Sequence, residues 1–187
     1  VAAALGLLAA VQGCSNLVVT DPDSPHYVPR PGSRVIVKQR IEVPPGHTRV
    51  FFQHGKQIDK QQLNDYDINC NLEITTLSDQ PRYIEPGSYT VIRTDQYSDE
   101  VVSRGPLLFA ALDVIAVRVR DDGGDGPSMI YEGLRMVLDR STQTELRELA
   151  CRGALGDPSE VVAPSLAEMR KALGKSVAIE VAEEGGA

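Results

Sequence analysis

DINCNLEIT, residues 67–75, alternates apolar and polar side chains without a break. Ile68, Cys70, Leu72 and Ile74 share one parity; Asp67, Asn69, Asn71 and Glu73 share the other. A period of two over this length is a β-strand buried on one face. Cys70 is therefore expected in the core, and the acidic and amide side chains in solvent.

The same pattern spreads in both directions. Upstream, Val35, Val37, Ile41 and Val43 keep one parity through Arg34–Val43, and Pro44-Pro45-Gly46 turns the chain. Thr48–Gln53, TRVFFQ, is rich in β-formers and ends at His54-Gly55-Lys56. Gln57–Asp67 is polar and reads as a long loop or a short helix. Downstream, Ile84-Glu85-Pro86-Gly87 is a turn and Tyr89–Arg93 a strand. Asp95–Gly105 is polar enough to be a surface excursion.

Leu107–Arg120 begins as an apolar run open to helix or strand, and alternates from Leu112 on. Asp121–Pro127, DDGGDGP, is a loop, and Met129–Asp139 returns as a strand, so residues 114–138 read as a hairpin. Leu146, Leu149 and Cys151 have mixed spacing that leaves helix and strand open. Ser165–Leu173 is the one helix: Ser165 caps it, Glu168 completes a capping box, Leu166, Met169 and Leu173 form a stripe, and Gly174 stops it. Lys175–Val181 is a last strand. These elements predict a mainly β chain: an antiparallel β-sandwich or small barrel with one C-terminal helix over an edge or open end.

The 187 residues suit one domain, with 42% hydrophobic residues, 5% aromatic residues and no Trp. The core must be Val, Ile and Leu. The formal charge is −7, and no basic cluster stands out, which argues against nucleic acid as a partner. Anionic headgroups would repel such a surface, so membrane association requires a lipid or a partner.

The N-terminus, VAAALGLLAAVQGC, is uncharged and too short to span a bilayer. Ala10-Val11-Gln12-Gly13-Cys14 resembles the lipobox of bacterial lipoproteins, with an aliphatic residue three before the cysteine and a small residue just before it. The resemblance covers only this segment. It implies that residues 1–13 are part of a signal peptide, cleaved before Cys14, and that Cys14 carries the lipid. No Met, Lys or Arg precedes the apolar run, so the sequence is read as beginning partway into that peptide. Ser15, in place of Asp, implies the outer membrane, with the domain facing the periplasm. Stable anchoring follows from multiple acyl chains.

Residues 14–33 hold four prolines and many small polar residues, and are expected to tether the lipid to a domain at 34–182, with 183–187 frayed. If Cys14 is acylated, Cys70 and Cys151 remain as an even pair in an oxidising compartment. They are then expected as a disulfide, with two buried thiols the alternative.

Chemistry-bearing patterns are sparse. His47 and His54 flank TRVFFQ on opposite parities, and His26 lies in the tether. Asp121 to Gly126 with Glu132 brushes the calcium-loop pattern, but Gly123 stands where an oxygen ligand is wanted and the flanks are strands. No nucleophile elbow, zinc-protease motif or phosphate-cradling loop occurs. No metal ligand set and no cofactor are expected. The reading is a non-catalytic, lipid-anchored envelope protein with a structural or partner-binding role, its partner an envelope protein. The alternative is a small-molecule or metal-binding periplasmic domain; a hydrolase built on His47 or His54 ranks last.

Overall fold

A computed structural model describes residues 19–101, 129–141 and 145–182. Ten strands and one α-helix lie among them: β1 (Arg34–Val37), β2 (Ile41–Val43), β3 (Arg49–Gln53), β4 (Lys56–Ile58), β5 (Asn69–Ile74), β6 (Arg82–Ile84), β7 (Gly87–Val101), β8 (Met129–Leu138), β9 (Leu146–Arg152), α1 (Leu166–Leu173) and β10 (Val177–Glu180). A 3₁₀ turn at Lys60–Gln62 follows β4. The chain is mainly β with one helix near its C-terminus, as the alternation predicts.

The sandwich-or-barrel expectation resolves into an open, curled half-barrel. Eight strands form one antiparallel sheet in the order β10-β1-β7-β8-β9-β5-β3-β4, and β2 and β6 form a separate ribbon. The curl wraps apolar side chains: Val35, Val91, Met136, Leu149, Leu72 and Phe52 are all fully buried. Helix α1 contacts β10 at one edge and β3 and β4 at the other, so it closes the open side of the curl. Its stripe of Leu166, Met169 and Leu173 is buried there, joined by Ala172. Ile41, Val43 and Ile84 of the ribbon join the same core.

The ends of α1 are built as the sequence predicts. Ser165 Oγ accepts from Glu168 N, and Glu168 Oε2 accepts from Ser165 N at 2.9 Å. Gly174 ends the helix at φ 66°, where its missing Cβ lets the Gly55 turn approach, and Gly55 N donates to Ala172 O at 3.0 Å. Arg170 reaches back to edge strand β10 and donates two bonds to Ile179 O, from Nη2 at 2.8 Å and Nε at 3.2 Å. That occupies a carbonyl which would otherwise template strand pairing.

Cys70 and Cys151 are directly opposite on β5 and β9 and joined by a disulfide. Both belong to the inward parity of their strands, so the bond lies in the core.

Several expectations are corrected. Met129–Asp139 does not return against residues 114–120; β8 pairs with β7 from Val91 to Val101. Residues 102–128, including Leu107–Arg120 and the DDGGDGP loop, lie outside the described residues. Asp95–Val101, expected as a surface excursion, is strand. A register shift between Val91 and Arg93 breaks the parity at Ile92, and beyond it Arg93, Asp95 and Tyr97 take the outer face while Thr94 and Gln96 lie opposite the core residues Met136 and Leu134. Lys56–Ile58, read as the end of TRVFFQ and the start of a polar loop or short helix, is a strand that pairs with β3 across the His54-Gly55 turn.

Residues 19–33, expected as a tether, are docked. Tyr27 is buried, Thr94 Oγ1 donates to Pro29 O at 2.6 Å, and Gly32 and Ser33 bond to the backbone of Val91. Tyr27 supplies the apolar area that its polar neighbours lack. Cys14 lies outside the described residues.

Candidate binding cleft

The face of the sheet turned away from the core is where the chain departs most from its expected simplicity. The strand registers lay its side chains out as a grid. One row runs Arg49, Glu73, Glu148, Val137, Arg93; the next runs Phe51, Asn71, Ala150, Arg135, Asp95; a third runs Asn69, Arg152, Gly133, Tyr97. Cross-strand neighbours sit close enough for direct contact. The small residue Ala150 is at the centre of this grid, with Asn71 and Arg135 on either side.

A bulge adds one more arginine. Glu73 pairs with Glu148 and Ile74 with Leu146, leaving Arg147 as the extra residue of β9. A bulge re-aims the side chain beside it. Arg147 accordingly ion-pairs with both carboxylates, at 3.1 Å to Glu73 Oε1 and 3.3 Å to Glu148 Oε2.

The result is an alternating chain of charge. Arg49 Nε is 2.5 Å from Glu73 Oε2, Arg147 bridges Glu73 and Glu148, and Arg135 Nε stands 3.4 Å from Glu148 Oε1. The two glutamates are buried, at 6% and 3% exposure, although the alternation of β5 assigns Glu73 to solvent. Asn69, also expected outside, is covered as well and accepts from Arg152 Nε. Long arginine stems roof these shorter side chains, and three cations around two carboxylates satisfy charges that burial would otherwise penalise.

Aromatic rings complete the floor and one wall. A Cβ on Gly133 would fall 2.5 Å from Tyr97 Cζ, so the Tyr97 ring lies directly on the backbone of β8. The Arg135 guanidinium stands 4.9 Å from that ring's centre, and Arg152 stands 4.2 Å from the centre of Tyr131. Arg152 also pairs with Asp65 at 3.1 Å. Burial pushes the Tyr131 phenol up to about 12, with Asp65 adding to the rise and Arg152 opposing it. Folding thus holds Tyr131 neutral above its ordinary value of 10.0. Its contribution to stability is complete below pH 10 and is lost as pH rises toward 12. A tyrosinate absorbance titration is expected to show a phenol ionising at about 12 that Tyr131→Phe removes; an unchanged titration curve contradicts that environment.

Over Ala150 these groups leave a cavity of about 420 Å³. Arg49, Phe51, Asn71, Tyr97, Arg135 and Arg152 line it, with His47 and Leu77 at the flanking loops and Lys60 in the 3₁₀ turn. The volume is within the range of small-molecule sites. Two buried polar atoms on its lining residues lack hydrogen-bond partners, Asn71 Oδ1 and Arg135 Nε, the latter near Glu148 but without hydrogen-bond geometry.

The residues singled out from sequence fall elsewhere or at the margin. His47 flanks the cleft, its Nδ1 2.9 Å from Pro45 O. His54, at φ 52°, places Nε2 3.2 Å from Asp67 Oδ2 beside α1. The small hollow there is lined by His54, Asp67, Ile68, Glu168, Lys171 and Ala172, and offers no Ser, Thr or Cys. The two histidines stand at opposite ends of β3. His26 is exposed. Glu132 accepts from Gln96 at 3.3 Å, and its proposed calcium partners lie outside the described residues. Among the described residues, no group of three or more His, Cys, Asp or Glu could hold a metal ion.

Sequence reasoning missed Arg49, Arg135, Arg147, Arg152 and Ala150. The available signal was at least one arginine or glutamate on the outer parity of each interior strand, a pattern also produced by an ordinary solvated face. No protein family, no curated protein and no solved structure matches this chain.

Proposed function

We propose that this chain is a lipid-anchored, non-catalytic binding domain of the cell envelope, which presents the cleft over Ala150 to its ligand. The cleft carries this reading. It combines a ligand-sized hollow and charged walls fixed by ion pairs on an interior region of the sheet. The only histidine–carboxylate pair among the described ion pairs, His54–Asp67, lacks a nucleophile in its hollow, which favours binding over hydrolysis.

The anchor part rests on the lipobox resemblance at Ala10–Cys14. With residues 19–33 docked, only residues 15–18 remain to separate Cys14 from the described part of the domain. At about 3.5 Å per residue that holds the domain within roughly 15–20 Å of a lipid at Cys14.

One experiment addresses both parts. A photo-crosslinking amino acid replaces Leu77 at the cleft, or Val162, which lines a different hollow; both are well exposed. Expressed in a Gram-negative host, the protein is expected to pellet with membranes and to form an envelope adduct from position 77 only. Cys14→Ser is expected to release it to the soluble fraction. Equal adducts from both positions contradict the cleft as the binding surface, and continued pelleting of Cys14→Ser contradicts the anchor.

A further inference from the structure

We infer that the cleft over Ala150 takes a small molecule with an anionic head, carboxylate or phosphate, and a compact apolar body. This rests on the cleft being the binding surface and adds the chemistry of what enters it. Charge is the first argument. Arg49, Lys60, Arg135 and Arg152 line the cavity with Asp99 and Glu148; with the ion-pair partners Glu73, Asp65 and Arg147 the cluster holds five cations against four carboxylates. This cationic excess stands on a chain whose formal charge is −7. A local field opposite in sign to the whole molecule draws in ions that the rest of the surface repels.

Unused donors are the second argument. Lys60 makes no ion pair among the described residues, although Arg49, Arg135 and Arg152 all do. Its ammonium at the cavity wall is therefore free to meet an incoming anion. Arg135 Nε faces Glu148 at 3.4 Å, and the guanidinium lies on the cavity lining beside the Tyr97 ring. Guanidinium and ammonium donors on the two sides of the cavity, Arg135 on β8 and Lys60 beyond β4, suit the oxygens of a carboxylate or phosphate.

Shape is the third argument. The cavity adjoins a second one of about 300 Å³, and His47, Arg49, Phe51 and Lys60 line both. Pro44, Val50 and Ile58 make the second cavity's apolar walls. A ligand with its head at Lys60 and Arg135 would lay its body across Phe51 toward those residues. The ion pairs with Glu73 and Glu148 hold Arg49 and Arg135 in place before the ligand arrives, which lowers the ordering cost of binding.

The test is an amide-shift titration of the full chain at fixed ionic strength with four probes: benzoate, phenyl phosphate, benzamide and benzylamine. Benzoate, phenyl phosphate or both are expected to shift Asn71, Arg135 and Ala150 saturably, and the tighter of the two identifies the head. Benzamide and benzylamine are expected to leave these amides unmoved. Lys60→Ala and Arg135→Gln are each expected to weaken the anion about tenfold or more, the loss of one charge-assisted bond. Lys60 has no ion pair to lose, so its variant separates ligand contact from folding damage. Equal shifts with benzamide overturn the anionic head while leaving the cleft as a binding surface. No saturable shift with any probe overturns the inference, whereas failure of the binding reading itself is seen as loss of the position-77 adduct.

Discussion

Replacing Cys70 and Cys151 together by alanine is expected to lower the free energy of unfolding by about 4 kcal/mol. The bond closes a span of 81 residues, one that contains β6, β7, β8 and most of β5 and β9. Cutting it frees that loop in the unfolded chain. On the chain-entropy account the effect grows with loop length, and this loop is long. Both side chains are fully buried, so alanine also leaves small voids between β5 and β9. Urea denaturation is the measurement. The midpoint should fall steeply and the slope should rise, because the uncrosslinked chain exposes more surface on unfolding. A loss under about 1 kcal/mol would mean that the sheet's register is held by packing alone.

The second large effect is at the end of α1. Gly174→Ala is expected to cost about 3 kcal/mol, from a left-handed backbone and from overpacking. Gly174 sits at φ 66°, and an alanine Cβ there would fall 2.3 Å from Gly55 O and 2.5 Å from Gly55 Cα. Both are backbone atoms of the β3–β4 turn, so the turn or the helix must move. Gly46→Ala is the matched control: φ is 73°, and nothing lies within 4 Å of its Cβ. It should show the backbone cost alone, about 1–2 kcal/mol. Equal losses at the two positions would show that the contact between helix end and turn carries no strain.

Local patterning made part of this molecule legible. Residues 68–74 alternate because β5 has one apolar face, and the same logic put Cys70 inside. The capping box at Ser165 and the stop at Gly174 need only neighbouring residues, and both are present. What escaped depends on contacts distant in sequence. The partner of β8 is set by register with β7, and the polar half of β7 has no apolar stripe to announce it. Bulges at Ile92 and Arg147 shift the parity, so residues beyond them face the side opposite to that given by counting. Tyr27 docks from a segment whose prolines and serines read as tether.

The cleft escaped for a further reason. Glu73 and Arg49 each look like solvated surface until the grid of five strands brings them together with Glu148, Arg135 and Arg147. Ala150 carries no chemical signal at all. Its importance comes from being small between Asn71 and Arg135, and only the register between β5, β9 and β8 reveals that.

Ala150 also gives the most direct measurement of the account. Leucine there points to the outer face, away from the core, and fills the floor of the cleft. An amide-shift titration of Ala150→Leu with benzoate or phenyl phosphate, whichever binds the parent tighter, is expected to show native dispersion and unchanged core resonances with the saturable shifts at Asn71 and Arg135 gone. A folded Ala150→Leu protein that still binds the probe as tightly as the parent would contradict the cleft as the site.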